Sequence, residues 1–224
     1  INTGTADITV NDSDNTGIGL GGTNVAGGIN ITDTEFGGIT ANNISLNTSG
    51  NVTIDGITDT NSNGIADTLD INVGGASNVT FTTTASSINA TLDVVAPGAI
   101  SVDVDVAATN GDLIFNSTGA TTFAANVTVA ASESMTLTAS GNLTGIGNLD
   151  LDAREGITIT DNITTNGVTD FNADTDAAGN GTFTLNTADL NTQNNALTLS
   201  ITDLVLIPNS SINVGNATFT VNET

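Results

Sequence analysis

The chain has no cysteine, tryptophan, tyrosine or histidine, and Arg154 is its single basic side chain. Without cysteine there are no disulfides and no thiolate metal sites. Without histidine or lysine, most proton-transfer and anion-stabilising chemistry lacks its usual side chains. Aromatics are 3% of residues and all are phenylalanine, too few for a β-sandwich core of this size and too few for the stacking platforms of sugar sites. Proline is nearly absent (2) while glycine is common (25), so turns fall to Gly, Asn and Asp at positive φ. No helical periodicity persists, and no apolar run has the length of a signal peptide or a membrane span.

What is present is acid and alternation. The net charge is −23, which repels nucleic acid and anionic lipid, so neither nucleic-acid binding nor membrane insertion is expected. Uncompensated carboxylates suit a saline or divalent-rich exterior. Disorder would follow from charge alone, but 38% hydrophobic residues in strict alternation oppose it.

The clearest alternation runs from Val127 to Ile159. Val127/Val129, Met135/Leu137, Leu149/Leu151 and Ile157/Ile159 each flank one polar residue, as in a strand with one buried face. The pair of units recurs after 22 residues, from Val127 to Leu149. Short strands at such a period predict stacked coils, each unable to bury its apolar side alone. The expected fold is an all-β, right-handed parallel β-helix (β-solenoid) with rungs of roughly 21–27 residues. The alternative is a pair of β-sandwich modules joined near Val95-Ala96-Pro97-Gly98.

The same two-unit block appears as Ile44/Leu46 with Val52/Ile54, Ile71/Val73 with Val79/Phe81, and Leu92/Val94 with Ile100/Val102. Residues 1–28 read as irregular rungs or a cap, and 29–224 as a continuous solenoid with insertions at 55–68 and 172–181. Ile100 to Val106 reads as one long strand, and the register from 103 to 126 is left open. Stacks of about 4.8 Å spacing would give nine or ten coils and a rod roughly 45 Å long. Asn51, Asn78, Asn126, Asn142 and Asn162 mark corners where amide ladders would satisfy turns. Ile1 begins in mid-pattern, as a processed chain or an excised segment would.

Blocks such as Ser49-Gly50-Asn51-Val52-Thr53-Ile54, Glu155-Gly156-Ile157-Thr158-Ile159 and Asn195-Ala196-Leu197-Thr198-Leu199 resemble the repeats of bacterial filamentous-haemagglutinin-type exoproteins and giant surface adhesins. The resemblance covers roughly 29–221. It implies a right-handed parallel β-helix, secretion to the cell exterior and a stalk or adhesive role. It implies no shared binding residue. Open strands at the ends of such a stack make polymerisation an expectation, with further copies of the chain, or surface glycans, as partners.

One stretch has metal-ligand spacing. Asp59, Asn61, Asn63, Asp67 and Asp70 offer oxygens at the first, third, fifth, ninth and twelfth positions, Gly64 stands sixth, and the Ile65 carbonyl is seventh. That is the order of an EF-hand-type calcium loop, where alternate residues of a tight coil wrap one ion. Gly64 to Asp70 also resembles the calcium loops of thrombospondin type 3 repeats and dockerins. Asn at 61 and 63 leaves three carboxylates and a weaker site. The other reading is a solvated acidic turn, which is also the expectation for Asp12/Asp14 and Asp174/Asp176.

Catalysis is not expected, although Asp103/Asp105 and Asp150/Asp152 each put two carboxylates on one outward face, as glycoside hydrolysis would need. Thr136/Thr138, Thr158/Thr160, Thr182/Thr184 and Thr218/Thr220 could form a flat ladder for ice or carbohydrate, the alternative function; Thr also simply suits exposed strand positions.

Overall fold

The computed structural model describes residues 1–22 and 28–224. Within it, the Val127–Ile159 pattern closes into a coil with three sides. Strand Val127–Ala131 forms one side, Ser134–Ala139 the next and Leu143–Gly145 the third, before Leu149–Ala153 returns above the first. Val127 pairs with Leu149, Val129 with Leu151, Met135 with Ile157 and Leu137 with Ile159, all in parallel. The 22-residue recurrence in sequence is therefore the coil-to-coil register.

Repeated along the chain, these coils build three sheets. Face 1 has nine strands, from Ile8–Asn11 to Asp203–Leu206. Face 2 has ten, from Ile29–Ile31 to Ser211–Asn213, and face 3 has seven, from Ser86–Ile88 to Phe219–Glu223. The result is a β-solenoid of about 8 turns. Every strand pairing among the described residues is parallel, whereas two sandwiches would need antiparallel hairpins.

Face 3 is shorter because its column starts with helical turns. Helix α1 (Asp33–Phe36) packs on α2 (Asp59–Ser62), which packs on strand Ser86–Ile88. A capping box starts α1: the Thr32 hydroxyl accepts from the Glu35 amide, and the Glu35 carboxylate accepts from the Thr32 amide at 2.9 Å, satisfying two end groups of the helix. Phe36 then turns inward, 1% exposed.

The core is one continuous apolar column from Ile18 to Ile201. Phenylalanines stack within it, Phe81 on Phe115 and Phe171 on Phe183, both with ring centroids 5.6 Å apart. The corners are stitched by asparagine, through the backbone more than amide to amide. The Asn78 amide donates to Asn51 Oδ1 (2.9 Å) and the Ala99 amide to Asn78 Oδ1 (2.7 Å). At another corner Asn148 Nδ2 donates to Asn126 Oδ1 and the Val168 amide to Asn148 Oδ1. Where a coil turns inward its hydroxyls pair with each other, Ser117 with Thr121 (3.0 Å) and Thr165 with Thr169 (2.6 Å). Gly98, Gly119 and Gly141 stack at one corner; a Cβ on Gly119 would lie 2.5 Å from the Gly98 carbonyl, so only glycine lets those coils touch.

Three expectations need correction, and one open point is settled. The turns number about 8, not nine or ten, because the first coil spends 36 residues between Ile8 and Ile44; eight spacings of about 4.8 Å give a rod of about 38 Å. Ile100 to Val106 is not one strand: Ile100–Val102 belongs to face 2 and Val106–Ala108 to face 3. Alternation continues unbroken around that corner, with Val104 still partly buried, so the bend leaves no mark in the pattern. The open stretch 103–126 is an ordinary coil, with Leu113 between Leu92 and Met135. Finally, Leu69/Ile71, not Ile71/Val73, lies over Ile44/Leu46. A two-residue slip keeps every side chain on its own face, so periodicity cannot detect it.

The segment 1–28 contains strands Ile8–Asn11 and Ile18–Gly21, already in register with Ala41–Thr48 and Val52–Asp55. Residues 23–27 of that segment lie outside the described residues.

Candidate functional site

The stretch 59–70 does not form a single loop. Asp59 opens α2, Asn63 is the exposed residue capping its end, and Ile65 starts the strand Ile65–Val73. From Ile65 the backbone is extended, so Asp70 lies about 16 Å further on at about 3.3 Å per residue. Asp67 is exposed at a bulge, where Ala41 pairs with Ile65 but Asn43 with Thr68.

The polar groups are engaged elsewhere. The Asp59 carboxylate accepts from Asn89 Nδ2 at 3.0 Å and from the Thr109 hydroxyl. Asn61 Nδ2 donates to Asp33 at 2.7 Å, and Ser45 Oγ donates to Asp70 at 2.8 Å. Asp59, Asn61, Asn63, Ile65, Asp67 and Asp70 are thus spread over a helix turn, a bulge and a strand. They do not converge on one point as a calcium loop requires. Among the described residues no group of three or more His, Cys, Asp or Glu side chains could hold a metal ion.

Asp59 instead pins α2 to the ends of the next two strands of face 3. Two other loop aspartates do the same elsewhere. Asp12, 5% exposed, accepts from the Thr48 hydroxyl (2.7 Å) and the Gly17 amide (2.8 Å); the Thr48 hydroxyl, the neighbouring Asp14 and the Gly17 amide lower its pKa. Asp174, 2% exposed in the 173–181 loop, accepts from the Thr224 hydroxyl (2.7 Å), the Thr202 hydroxyl (2.8 Å) and the amides of Ala178 and Gly179. These bonds, the Thr224 hydroxyl first, hold its pKa down at about 2. Both pairs do sit in turns, but Asp12 and Asp174 are buried and hydrogen-bonded rather than solvated.

Carboxylates also gather on the outer surface of face 3. Asp150 stands opposite Asp170 on the next strand, with Thr128 on its other side, and Asp152 shares the strand of Asp150. Asn126, Thr128, Asn148, Asp150, Val168 and Asp170 line a shallow groove of about 300 Å³. Partial burial raises the Asp150 pKa to about 6, with Asp152, Asp170 and Asp105 adding repulsion. Burial likewise raises Asp152 and Asp170. On face 1, Asp93 lies over Asp70, and its pKa is raised by burial and then by that neighbour. This pairing left no signal in the linear sequence, because its members lie on different coils.

The remaining candidates separate in space. Asp103 and Asp105 lie beyond the end of strand Ile100–Val102, where Asp103 accepts from Ser101 Oγ and Asp105 from the Thr128 amide. Of the Thr pairs, Thr136/Thr138 and Thr158/Thr160 do stack, with Thr160 Oγ1 donating to Thr138 Oγ1 at 2.7 Å. Thr182/Thr184 is shifted by two residues, Thr184 lying over Thr158, and Thr220 belongs to face 3. The four pairs therefore make no common flat ladder. Six phenylalanines are fully buried, and the seventh, Phe219, lies at the end of the stack. Arg154 bridges Glu155 (2.8 Å) and Asp176 (3.8 Å), an exposed surface pair. Among the described residues no helix is long and apolar enough to cross a membrane.

Comparison with protein-family models, with curated proteins and with solved structures finds no match.

Proposed function

We propose that the chain is an extracellular structural and adhesive segment of a bacterial surface or filament-forming protein, acting as a stiff spacer. The observation that carries this reading is the uninterrupted core: one apolar column from Ile18 to Ile201 threads every coil. Length in such a stack is extensible coil by coil, because each contacts only its neighbours. The outside is acidic and polar, which keeps a rod soluble and discourages lateral clumping. Loop carboxylates that span successive coils add stiffness without enlarging the core.

This reading does not rely on calcium. An ion at 59–70 would have to take Asp59 from Asn89 and Thr109 and draw Asp70 out of its strand, so rigidity is assigned here to the stack itself. The test is where the protein resides. Antibody raised against the purified chain should label intact source cells as strongly as permeabilised ones. Labelling only after permeabilisation would overturn the reading.

A further inference from the structure

Among the described residues one buried side-chain oxygen has no hydrogen-bond partner, Asp93 Oδ1. Asp93 lies on the outward side of strand Thr91–Ala96, the fourth of face 1. Its in-register neighbour on the coil beneath is Asp70, and on the coil above it is Ile114. The two carboxylates buried in loops, Asp12 and Asp174, each collect several donors. Asp93 collects none.

Its surroundings narrow what the buried oxygen can meet. Thr68, Asp70 and Asn72 share the outward side of the strand beneath, and Ile114 and Asn116 that of the strand above. Thr91 and Val95 flank Asp93 on its own strand. Asp70 is the one titratable group among them, and Ser45 Oγ donates to its Oδ2 at 2.8 Å. The next carboxylates along these strands are Asp67, exposed at the bulge, and Asp112, which is held by the amide and hydroxyl of Ser134. Arg154, the only basic side chain, is engaged by Glu155 and Asp176.

Two carboxylates on coils about 4.8 Å apart are both acceptors and can bond only if one carries a proton. We propose that Asp93 takes a proton from solvent and donates it to Asp70, a carboxyl–carboxylate hydrogen bond that latches the third and fourth strands of face 1 together. Like charges brought this close hold one proton between them. Burial acts in the same direction, and together with Asp70 it raises the Asp93 pKa above 3.8. The latch therefore adds stability that is complete below 3.8 and is lost as pH rises through the raised value.

Position gives the titration a consequence. Coils on face 1 take 36 residues from Ile8 to Ile44 and 25 from Ile44 to Leu69, but 21 from Leu92 to Leu113. The Asp70–Asp93 pair spans the seam between the long coils, which carry α1 and α2, and the regular ones. Acid tightens that seam, and a rise in pH frees the amino-terminal coils to open. This holds whether or not the chain serves as a spacer.

The experiment is carbon NMR of the whole chain labelled at its aspartate carboxyl carbons, titrated from acid to neutral pH. Amide exchange, corrected for intrinsic rates, is measured on the same samples. The Asp93 signal should titrate above 3.8, and the Asp70 signal should move at the same pH, since one proton serves both. Asp70→Asn places an amide donor beneath Asp93 and should bring its midpoint down towards 3.8; burial alone would leave it raised. Asp93→Asn gives Asp70 a permanent donor, so Leu69 to Asn72 should be equally protected in acid and at neutral pH. In the wild-type chain the same amides should exchange several-fold faster at neutral pH than in acid. The Asp150 titration should be unchanged in both variants. An Asp93 signal that titrates at 3.8, or an Asp70 signal that ignores it, overturns the inference on the wild-type chain alone. So does a midpoint that stays raised in Asp70→Asn. A midpoint that falls as calcium or sodium is added at constant ionic strength would assign the buried oxygen to a cation and overturn it too.

Discussion

Leu137, Ile159, Leu185 and Leu206 form one column on face 1, each directly over the last. The first three are fully buried, and Leu206 is 44% exposed. Chemistry and direction are shared; only the number of covering coils differs. A coil in this fold is thus stable between two others and marginal at an end. Where the stack runs out, carboxylates replace burial: Asp12 and Asp59 hold the amino-terminal coils, and Asp174 holds the last two through Thr202 and Thr224.

The largest expected effect tests that contrast directly. Leu137→Ala should cost about 2–5 kcal/mol, the range for emptying a closed core site. Leu206→Ala should cost about 1 kcal/mol, because much of its surface is already wet. Urea unfolding of both variants measures the difference. Equal losses would break the distinction between interior and end.

Next come the loop carboxylates. Asp59→Ala removes two hydrogen bonds to a charged group, worth about 1.5–3 kcal/mol each at most. Its effect should be local: faster amide exchange in the coils up to Val73, with Leu113–Ile163 still protected. Asp174→Ala should do the same for Thr202 to Glu223. Added calcium should leave both exchange patterns unchanged. A calcium-dependent rise in melting temperature that vanishes in the Asp59→Ala, Asp70→Ala double variant would instead restore the ion to 59–70.

These same regions explain what could be read from the chain alone. The solenoid was legible because inward residues alternate strictly and the coil repeats at 22 residues between Val127 and Leu149. The third side was legible only in part: Val52/Ile54, Val79/Phe81 and Ile100/Val102 mark it, but later strands on that face carry Gly145 or the buried Thr165 where an apolar residue would signal a strand. The calcium spacing is not matched by a loop backbone for a related reason. A ligand motif presupposes a loop backbone, yet Asp70 stands inside the alternation Leu69–Ile71–Val73. That local pattern is the sign that its side chain points outward from a strand. The facing of Asp150 by Asp170, 20 residues on, needs the coil register and is invisible to any local pattern.

The smallest effect is a pH response with opposite signs in the interior and at the end. Asp150, in an interior coil, has its pKa raised from 3.8 to about 6 by burial and its acidic neighbours. The folded state then binds a proton that the unfolded chain releases, so stability falls as pH rises from 3.8 to about 6. Asp174 is lowered from 3.8 to about 2, so its contribution is complete above 3.8 and is lost as pH falls towards 2. Melting temperature against pH should therefore peak in the mildly acidic range between these limbs. Asp150→Asn should flatten the upper limb by about 1 kcal/mol, since the group is only partly buried and salt screens its neighbours. Asp174→Asn should flatten the lower limb alone and loosen Thr202 to Glu223 there. If Asp150→Asn left the upper limb unchanged, the face 3 carboxylates would carry no strain, and the interior would differ from the ends in burial only.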